Sequence, residues 1–413
     1  MPFSQFDLLP EIHEAVKAMG YSAPMPIQAQ AIPPALNGKD VLGSAQTGSG
    51  KTIAFMAPLL NAIIKDRKAR PHEKLAVRAV VLVPTRELAA QVETAAKDLA
   101  RFSSVQVALV IGGASMHSQI QALKKGAEIV VATPGRLLDL YRQRVLHLDK
   151  VKFVVLDEAD RMLDMGFMPD VRRIMQAIPP QRQTLMFSAT IPPEVERAVV
   201  AFMKEPVRIA IDRPSTPAAS ITQILYPITP DQKYELLFAI MNNAKITSAV
   251  VFTRTKDRAD MIARMLQNKG HNVVALHSNK TQAQRTQAMD GFRKQKHEIL
   301  VATDLAARGL DVSHISHVIN FDVPQHAEDY VHRIGRTGRA FQVGDAIMLM
   351  TIDEQPYVTA IEAFIGQSIP RAALPDFPYR VQPILTTFKP KASSSFRLRR
   401  VIPRGSGMRR FRR

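Results

Sequence analysis

The sequence predicts an α/β fold of two tandem parallel-sheet lobes joined by a short linker, with a basic disordered C-terminal tail. Three observations predict it. Short apolar runs such as Phe153-Val154-Val155-Leu156 show no polar alternation, the pattern of strands buried on both faces. Helical patterns separate these runs, as in repeated strand and helix units. The alternation begins afresh after residues 212–220, whose Pro, Ser and Ala content is that of a linker. The expected division is a first lobe over 1–211, the linker 212–220, a second lobe over 221–377 and a flexible tail over 378–413.

In chain order, a first helical pattern runs from about Leu8 to Met19 and stops at Gly20, a helix-end signal. A proline-rich stretch to Gln28 and a second helix lead to a strand at Asp40–Gly43. Further strands are expected at Ala79–Val83, Val105–Ile111, Glu128–Val131, Phe153–Leu156, Thr184–Phe187 and Val207–Ile211. Beyond the linker they recur at Ala249–Phe252, Val273–Leu276, Ile299–Ala302, His317–Asn320 and Asp345–Met350.

Composition bounds the function. With 413 residues, 46% of them hydrophobic, the chain can bury two cores, which excludes a disordered or fibrous class. No apolar run is long enough to span a bilayer, and Asp7, Glu11 and Glu14 occupy the region where a signal peptide needs apolar residues. A soluble, cytoplasmic chain with no membrane partner is expected. The absence of cysteine excludes a disulfide framework, a thiolate zinc site and a cysteine nucleophile. The net charge of +18 favours a polyanionic partner. Ten basic residues and no acid lie between Thr386 and Arg413, so taking them off the +18 leaves the body only mildly basic, at +8. That tail has too little apolar content to fold alone, and either tethers a polyanion or merely solubilises the chain.

The strand Phe153–Leu156 runs into Asp157-Glu158-Ala159-Asp160. In open α/β sheets ligands sit beyond the carboxyl ends of strands, and three crowded acids suit a hard cation such as Mg²⁺. Alone, the run could equally be a polar turn. The companion feature is Ser44-Ala45-Gln46-Thr47-Gly48-Ser49-Gly50-Lys51-Thr52, set between a strand and a helix. Backbone N–H groups and a helix N-terminus there can hold phosphate oxygens, Lys51 reaches the β and γ phosphates and Thr52 ligates Mg²⁺. Ala45 departs from the general phosphate-loop pattern, which has Gly at that place.

Polar clusters follow several strands: Pro84-Thr85-Arg86-Glu87, Gly112-Gly113, Thr133-Pro134-Gly135-Arg136 and Ser188-Ala189-Thr190, then Thr253-Arg254 and Thr303-Asp304. Each could be a capped turn. Together, on one sheet edge, they suit a phosphodiester backbone. His332-Arg333-Ile334-Gly335-Arg336-Thr337-Gly338-Arg339 spaces three arginines by three, a donor set for phosphate oxygens across a cleft.

These residues, in this order, resemble the DEAD-box ATP-dependent RNA helicases of superfamily 2, over about residues 3–375. The resemblance implies two RecA-like lobes, with ATP and Mg²⁺ as cofactors. It implies that Phe3 stacks on adenine, Gln28 reads the adenine edge and Ala45 is regular, since the family's loop is A-x-T-G-x-G-K-T. Asp157 and Thr52 would hold Mg²⁺, Glu158 would activate water, and Arg336 and Arg339 would be arginine fingers. Asp160, Ser188, Thr190 and His332 would couple hydrolysis to lobe closure, and Gly309 and Asp311 would meet the ribose. RNA would touch Pro84, Thr85, Arg86, Gly113, Thr133, Gly135 and Arg136 in the first lobe, and Arg254, Gln282, Arg285, Thr303 and Asp304 in the second. The expected form is a monomer acting on single-stranded RNA or short duplexes. The family usually has Thr at Met25 and Gly at Ser278, which bears on nucleotide affinity and on one RNA-facing loop. The ending from Ile369 to Phe377 is similar to the bacterial RhlE-like branch. Two rivals stay open: a non-hydrolysing RNA-binding or annealing protein, and a DNA translocase of the same superfamily.

Overall fold

The computed structural model describes residues 2–45, 49–211, 221–243, 246–304, 315–337, 344–383 and 385. The expected site residues Gln46, Thr47, Gly48, Gly309, Asp311 and Arg339 lie outside the described residues, as do the linker 212–220 and the tail from 386 onward.

The first lobe runs α1 (Pro10–Ala18), α2 (Pro26–Leu36), β1 (Val41–Ser44), α3 (Lys51–Ala69), β2 (Ala79–Leu82), α4 (Arg86–Ala100), β3 (Val107–Val110), α5 (Met116–Lys124), β4 (Ile129–Ala132), α6 (Pro134–Arg142), β5 (Phe153–Leu156), α7 (Ala159–Asp164), α8 (Met168–Ala177), β6 (Gln183–Ser188), α9 (Pro193–Phe202) and β7 (Val207–Ala210). Its strands form one parallel sheet in the order β3-β4-β2-β5-β6-β1-β7. Both faces are covered, which explains the unbroken apolar runs. Ala79 and Val81 of β2 enter one hydrophobic cluster, while Val80 and Leu82 enter the other.

The second lobe runs β8 (Ile221–Pro227), α10 (Lys233–Asn243), β9 (Ala249–Thr253), α11 (Lys256–Asn268), β10 (Val273–Leu276), α12 (Gln282–Arg293), β11 (Ile299–Thr303), β12 (His317–Asn320), α13 (Ala327–Ile334), β13 (Gly344–Met350) and α14 (Gln355–Ile365). Its parallel sheet has the order β10-β11-β9-β12-β13-β8. The sequence reading contains no strand at β8. In the fold β8 is an edge strand paired with β13 from Ile221 to Pro227, and only Leu225 and Pro227 along it are buried. A half-exposed edge strand lacks the continuous apolar run that identifies its central neighbours.

Chain packing continues slightly past the expected start of the tail. Leu374, Phe377 and Tyr379 pack on the second lobe's core, and Gln232 bonds the Pro378 carbonyl at 2.9 Å and accepts from the Arg380 N–H at 2.8 Å. Among the described residues no helix is long and apolar enough to cross a membrane.

The topology assembles the first site. Strands β5, β6 and β1 are consecutive neighbours in the sheet, so Ala45 after β1, the acids after β5 and Ser188 at the end of β6 share one edge. The ends of β9 and β11, with α13, form the corresponding edge of the second lobe.

Candidate active site

Gly50 begins the phosphate-loop helix. It caps α3 with φ 85°, a left-handed conformation that glycine adopts without strain. A Cβ there would also stand 2.4 Å from Gln28 Nε2 and 2.7 Å from Met25 Sδ, so these two side chains close directly over the loop. Gln28 is fully buried; its amide donates to the Gly50 carbonyl at 3.0 Å and accepts from the Met25 N–H at 2.9 Å. The residue expected to read adenine is thereby hydrogen-bonded to the phosphate loop, and the Met25 sulfur sits beside it where the family has a hydroxyl. Phe3 is buried in edge-on contact with Phe6 and Tyr21, at centroid distances of 5.8 and 6.4 Å.

Lys51 lies buried between the two halves of the site. Its Nζ donates to the Ala45 carbonyl at 3.0 Å and stands 3.8 Å from Asp157 Oδ1. Burial pushes the Asp157 carboxyl up to about 6, against the pull of Lys51. Thr52 follows on the first turn of α3 and is partly exposed. One carboxylate and one hydroxyl beside a phosphate loop fit the sparse protein ligation that Mg²⁺ accepts when phosphates complete its shell.

Glu158 is held at φ 53°, ψ 53°, the left-handed region that costs a non-glycine residue about 1–3 kcal/mol. Its Oε2 lies 3.3 Å from the guanidinium of Arg161, and both side chains are buried. Asp160 is tied on every side: Oδ2 accepts from Thr190 N–H at 2.7 Å and Thr190 Oγ1 at 2.9 Å, Oδ1 accepts from Arg161 N–H at 3.0 Å, and its own N–H donates to Ser188 Oγ at 3.1 Å. Three of the four expected coupling residues thus form one hydrogen-bonded group. His332, the fourth, lines a small cavity together with Arg161, Asp304, Asp329, Arg333 and Arg336.

The arginine cluster divides. Arg333 is buried and forks onto Asp304 at 2.6 and 2.7 Å, while also bonding Asn320 Oδ1 and the Asp322 carbonyl at 2.8 Å each. It anchors its helix, and it occupies the carboxylate of Asp304, which the sequence reading assigns to RNA. Arg336, also buried, donates from Nε to the His332 carbonyl at 3.1 Å at the mouth of the shared cavity.

A second junction joins the expected RNA-contacting residues. Arg86 donates to Gln282 Oε1 at 3.1 Å, and the Arg285 guanidinium meets Glu87 Oε1 at 2.8 Å, each bond linking one lobe to the other. Gly113 lies against Arg86, and Arg136 donates to the Ala114 carbonyl at 3.3 Å. Burial, with Arg285 and Arg136 close by, pulls the Arg86 guanidinium below its ordinary value, so cations are concentrated where an anion would relieve them. Thr85 caps α4 by accepting from Leu88 N–H at 3.2 Å, Pro84 precedes it, and Thr133 and Gly135 start α6. Arg254 and Thr303 stand at the ends of β9 and β11, with Arg254 held from behind by Glu354 at 3.3 Å.

Sequence reasoning passed over Glu87, Arg161 and Glu354 as site residues, and it grouped Arg333 with the phosphate-facing arginines although that side chain forks onto Asp304. Glu87 had a signal, an acid within a cluster of donors. Arg161 adjoins the tetrad. Glu354 had none, since only the fold brings it to Arg254.

The DEAD/DEAH box helicase model matches residues 25–198 and the helicase conserved C-terminal domain model matches residues 232–341. The ATP-dependent RNA helicase CshA of Listeria monocytogenes is 43% identical over 360 residues, which cover 87% of this chain and 68% of that protein. The DEAD-box ATP-dependent RNA helicase CshA of Bacillus subtilis is 41% identical over 373 residues, 90% of this chain and 74% of that one. Among solved structures, Saccharomyces cerevisiae Dbp5 bound to RNA and ADP BeF3 superposes with a TM-score of 0.79 at 28% identity, over 90% of this chain and 95% of that chain. The DEAD-box helicase Mss116 bound to ssRNA and UDP-BeF gives 0.80 at 28% identity, over 91% and 80%. With both family models matched in order and relatives above 40% identity along nearly the whole chain, this protein belongs to the DEAD-box helicase family.

Proposed function

We propose that this chain is an ATP-dependent RNA helicase that works by closing its two lobes on ATP and single-stranded RNA. The observation that carries the reading is the pair of junctions between the lobes, one at Arg161, His332 and Arg336, the other at Arg86–Gln282 and Glu87–Arg285. ATP and RNA sites that both span one cleft each favour its closure. The names of the relatives and the RNA and nucleotide in the neighbouring structures support it.

In this reading the α3 N-terminus and Lys51 hold the β and γ phosphates, with Gln46, Thr47, Gly48 and Ser49 completing the loop. Thr52 and Asp157 hold Mg²⁺, which neutralises charge on the phosphate oxygens when bound. Glu158 orients a water molecule whose oxygen bonds the γ phosphorus as the bond to the ADP oxygen breaks. The carboxylate takes the proton that water loses. Arg336 and Arg339, from the second lobe, meet the charge on the transferred group, while Gln28 and Phe3 face adenine and Gly309 and Asp311 the ribose. Asp160, Ser188, Thr190 and His332 report closure to this site. The RNA backbone runs over Arg86, Gly113, Thr133, Gly135, Arg136, Arg254 and Thr303. The protein acts as a cytoplasmic monomer.

Steady-state ATP turnover with and without RNA tests this, with equal-sequence DNA as competitor. Turnover stimulated by RNA and not by DNA is expected. No turnover would leave a non-hydrolysing RNA binder, and equal stimulation a DNA translocase.

Asp157 gives a pH prediction. Its carboxyl is raised to about 6, so the ionised ligand dominates above that pH and the protonated form below it. Affinity for Mg²⁺-nucleotide should fall as pH drops through this value; a flat profile in a titration would remove Asp157 from the metal site. A second prediction concerns the Glu87–Arg285 pair. A double-mutant cycle with Glu87→Ala and Arg285→Ala, read as lobe closure by fluorescence transfer between labels on the two lobes, should show a coupling of about 0.5–3 kcal/mol. Strictly additive effects would show that the pair does not stabilise closure.

A further inference from the structure

We infer that the RNA tract continues past the lobe junction along α12 and ends on the basic turn after it. The inference rests on the helicase reading above and extends its RNA site. A groove of about 750 Å³ opens between Gly113 and Gln282, passes Thr286 and Asp290, and ends at Lys294 and Lys296. It begins at the residues that bridge the lobes and follows one face of a 12-residue helix, roughly 18 Å at the usual rise. That is room for several nucleotides of an extended strand.

The far end is built to display charge. Lys294 closes α12, with its N–H donating to the Asp290 carbonyl at 3.0 Å; Gln295 takes the left-handed φ of 55°; and the Lys296 N–H returns to the Gly291 carbonyl at 2.8 Å. Asn272 fixes the turn from the other side, donating to the Lys296 carbonyl at 2.5 Å and bonding His297 Nδ1 at 2.9 Å. A Cβ on Gly291 would stand 2.7 Å from the His297 ring, so glycine leaves room for the imidazole against the helix. The backbone of this turn is therefore fixed, while Lys294 and Lys296 are exposed and neither is ion-paired among the described residues. Among the described residues Asp290 is the one acid lining the groove, and Arg293 stands 3.9 Å from it.

The chemistry favours a nucleic-acid strand over a protein. Along the floor, Ala283 is small, and Thr286 and Gln287 offer a hydroxyl and an amide. Ammonium groups on a fixed turn and polar donors along the path are what a sugar-phosphate backbone needs.

The test uses the full chain and two single-stranded RNAs: the shortest that gives full ATPase stimulation, and one about three times as long, measured as half-stimulating concentration against salt. The Lys294→Ala, Lys296→Ala double variant should raise that concentration for the long RNA by about threefold or more and flatten its salt slope by about 1.4, since each phosphate contact on a single strand contributes about 0.7. The ratio of short to long values should fall accordingly, and the Lys294→Arg, Lys296→Arg variant should restore it. The tail is common to all these chains and cancels. An equal shift for both RNAs, or no shift, overturns the extension while leaving the helicase reading intact. Failure of either RNA to stimulate the unsubstituted chain overturns that reading and the extension with it.

Discussion

Glu158→Gln should retain ATP binding and lose RNA-stimulated hydrolysis by about 10² to 10⁴, the usual contribution of a positioned general base. The side chain keeps its size, so the buried contact with Arg161 changes in charge more than in shape. The left-handed backbone at residue 158 would be unaltered, because glutamine pays the same conformational cost as glutamate there. A nucleotide-binding titration beside a steady-state assay separates the two effects. Unchanged turnover would remove Glu158 as the base.

Arg336→Ala should be as damaging by a different route. An arginine that meets the transferred phosphoryl group from across a cleft is worth about 10³ to 10⁵ in rate. Arg336 is buried at the lobe junction and bonded to its own helix end, so its guanidinium already lies at the cleft. The substitution should lower kcat and spare RNA binding in the absence of nucleotide, measured by fluorescence anisotropy. Equal loss of RNA affinity in that condition would mean that Arg336 serves the RNA face or the fold.

The fold was legible where burial was complete. Strands such as Val80–Leu82 and Val154–Leu156 are covered on both faces, so their sequence carries little except apolar side chains. β8 was illegible for the converse reason, lying half exposed at the sheet edge. The proposed ATP half of the site is local in sequence, because phosphate binding calls for glycine, lysine and hydroxyl residues in a short segment, and the acids after β5 are equally local. The pairing of Asp160 with Ser188 and Thr190 follows from adjacent strands.

What could not be read was how charged side chains satisfy one another across the chain. Asp304 and Arg285 resemble RNA contacts in sequence, yet Arg333 forks onto the first and Glu87 pairs with the second. A buried or half-buried charge seeks the nearest counter-ion, and only the fold defines which that is. Met25 is another case. Its sequence departure pointed to a lost hydroxyl, whereas the structure shows the sulfur filling the space above Gly50 beside a Gln28 that ties the start of its own helix, at Met25, to Gly50.

The central claim is that ATP and RNA close the same cleft. Its most direct measurement is the affinity for a short single-stranded RNA with and without a saturating non-hydrolysable ATP analogue. Closure predicts that the analogue tightens RNA binding by about 5- to 150-fold, and that RNA tightens analogue binding by the same factor, as linkage requires. Equal RNA affinity in the two conditions would contradict the account, because the lobes would then bind their ligands independently.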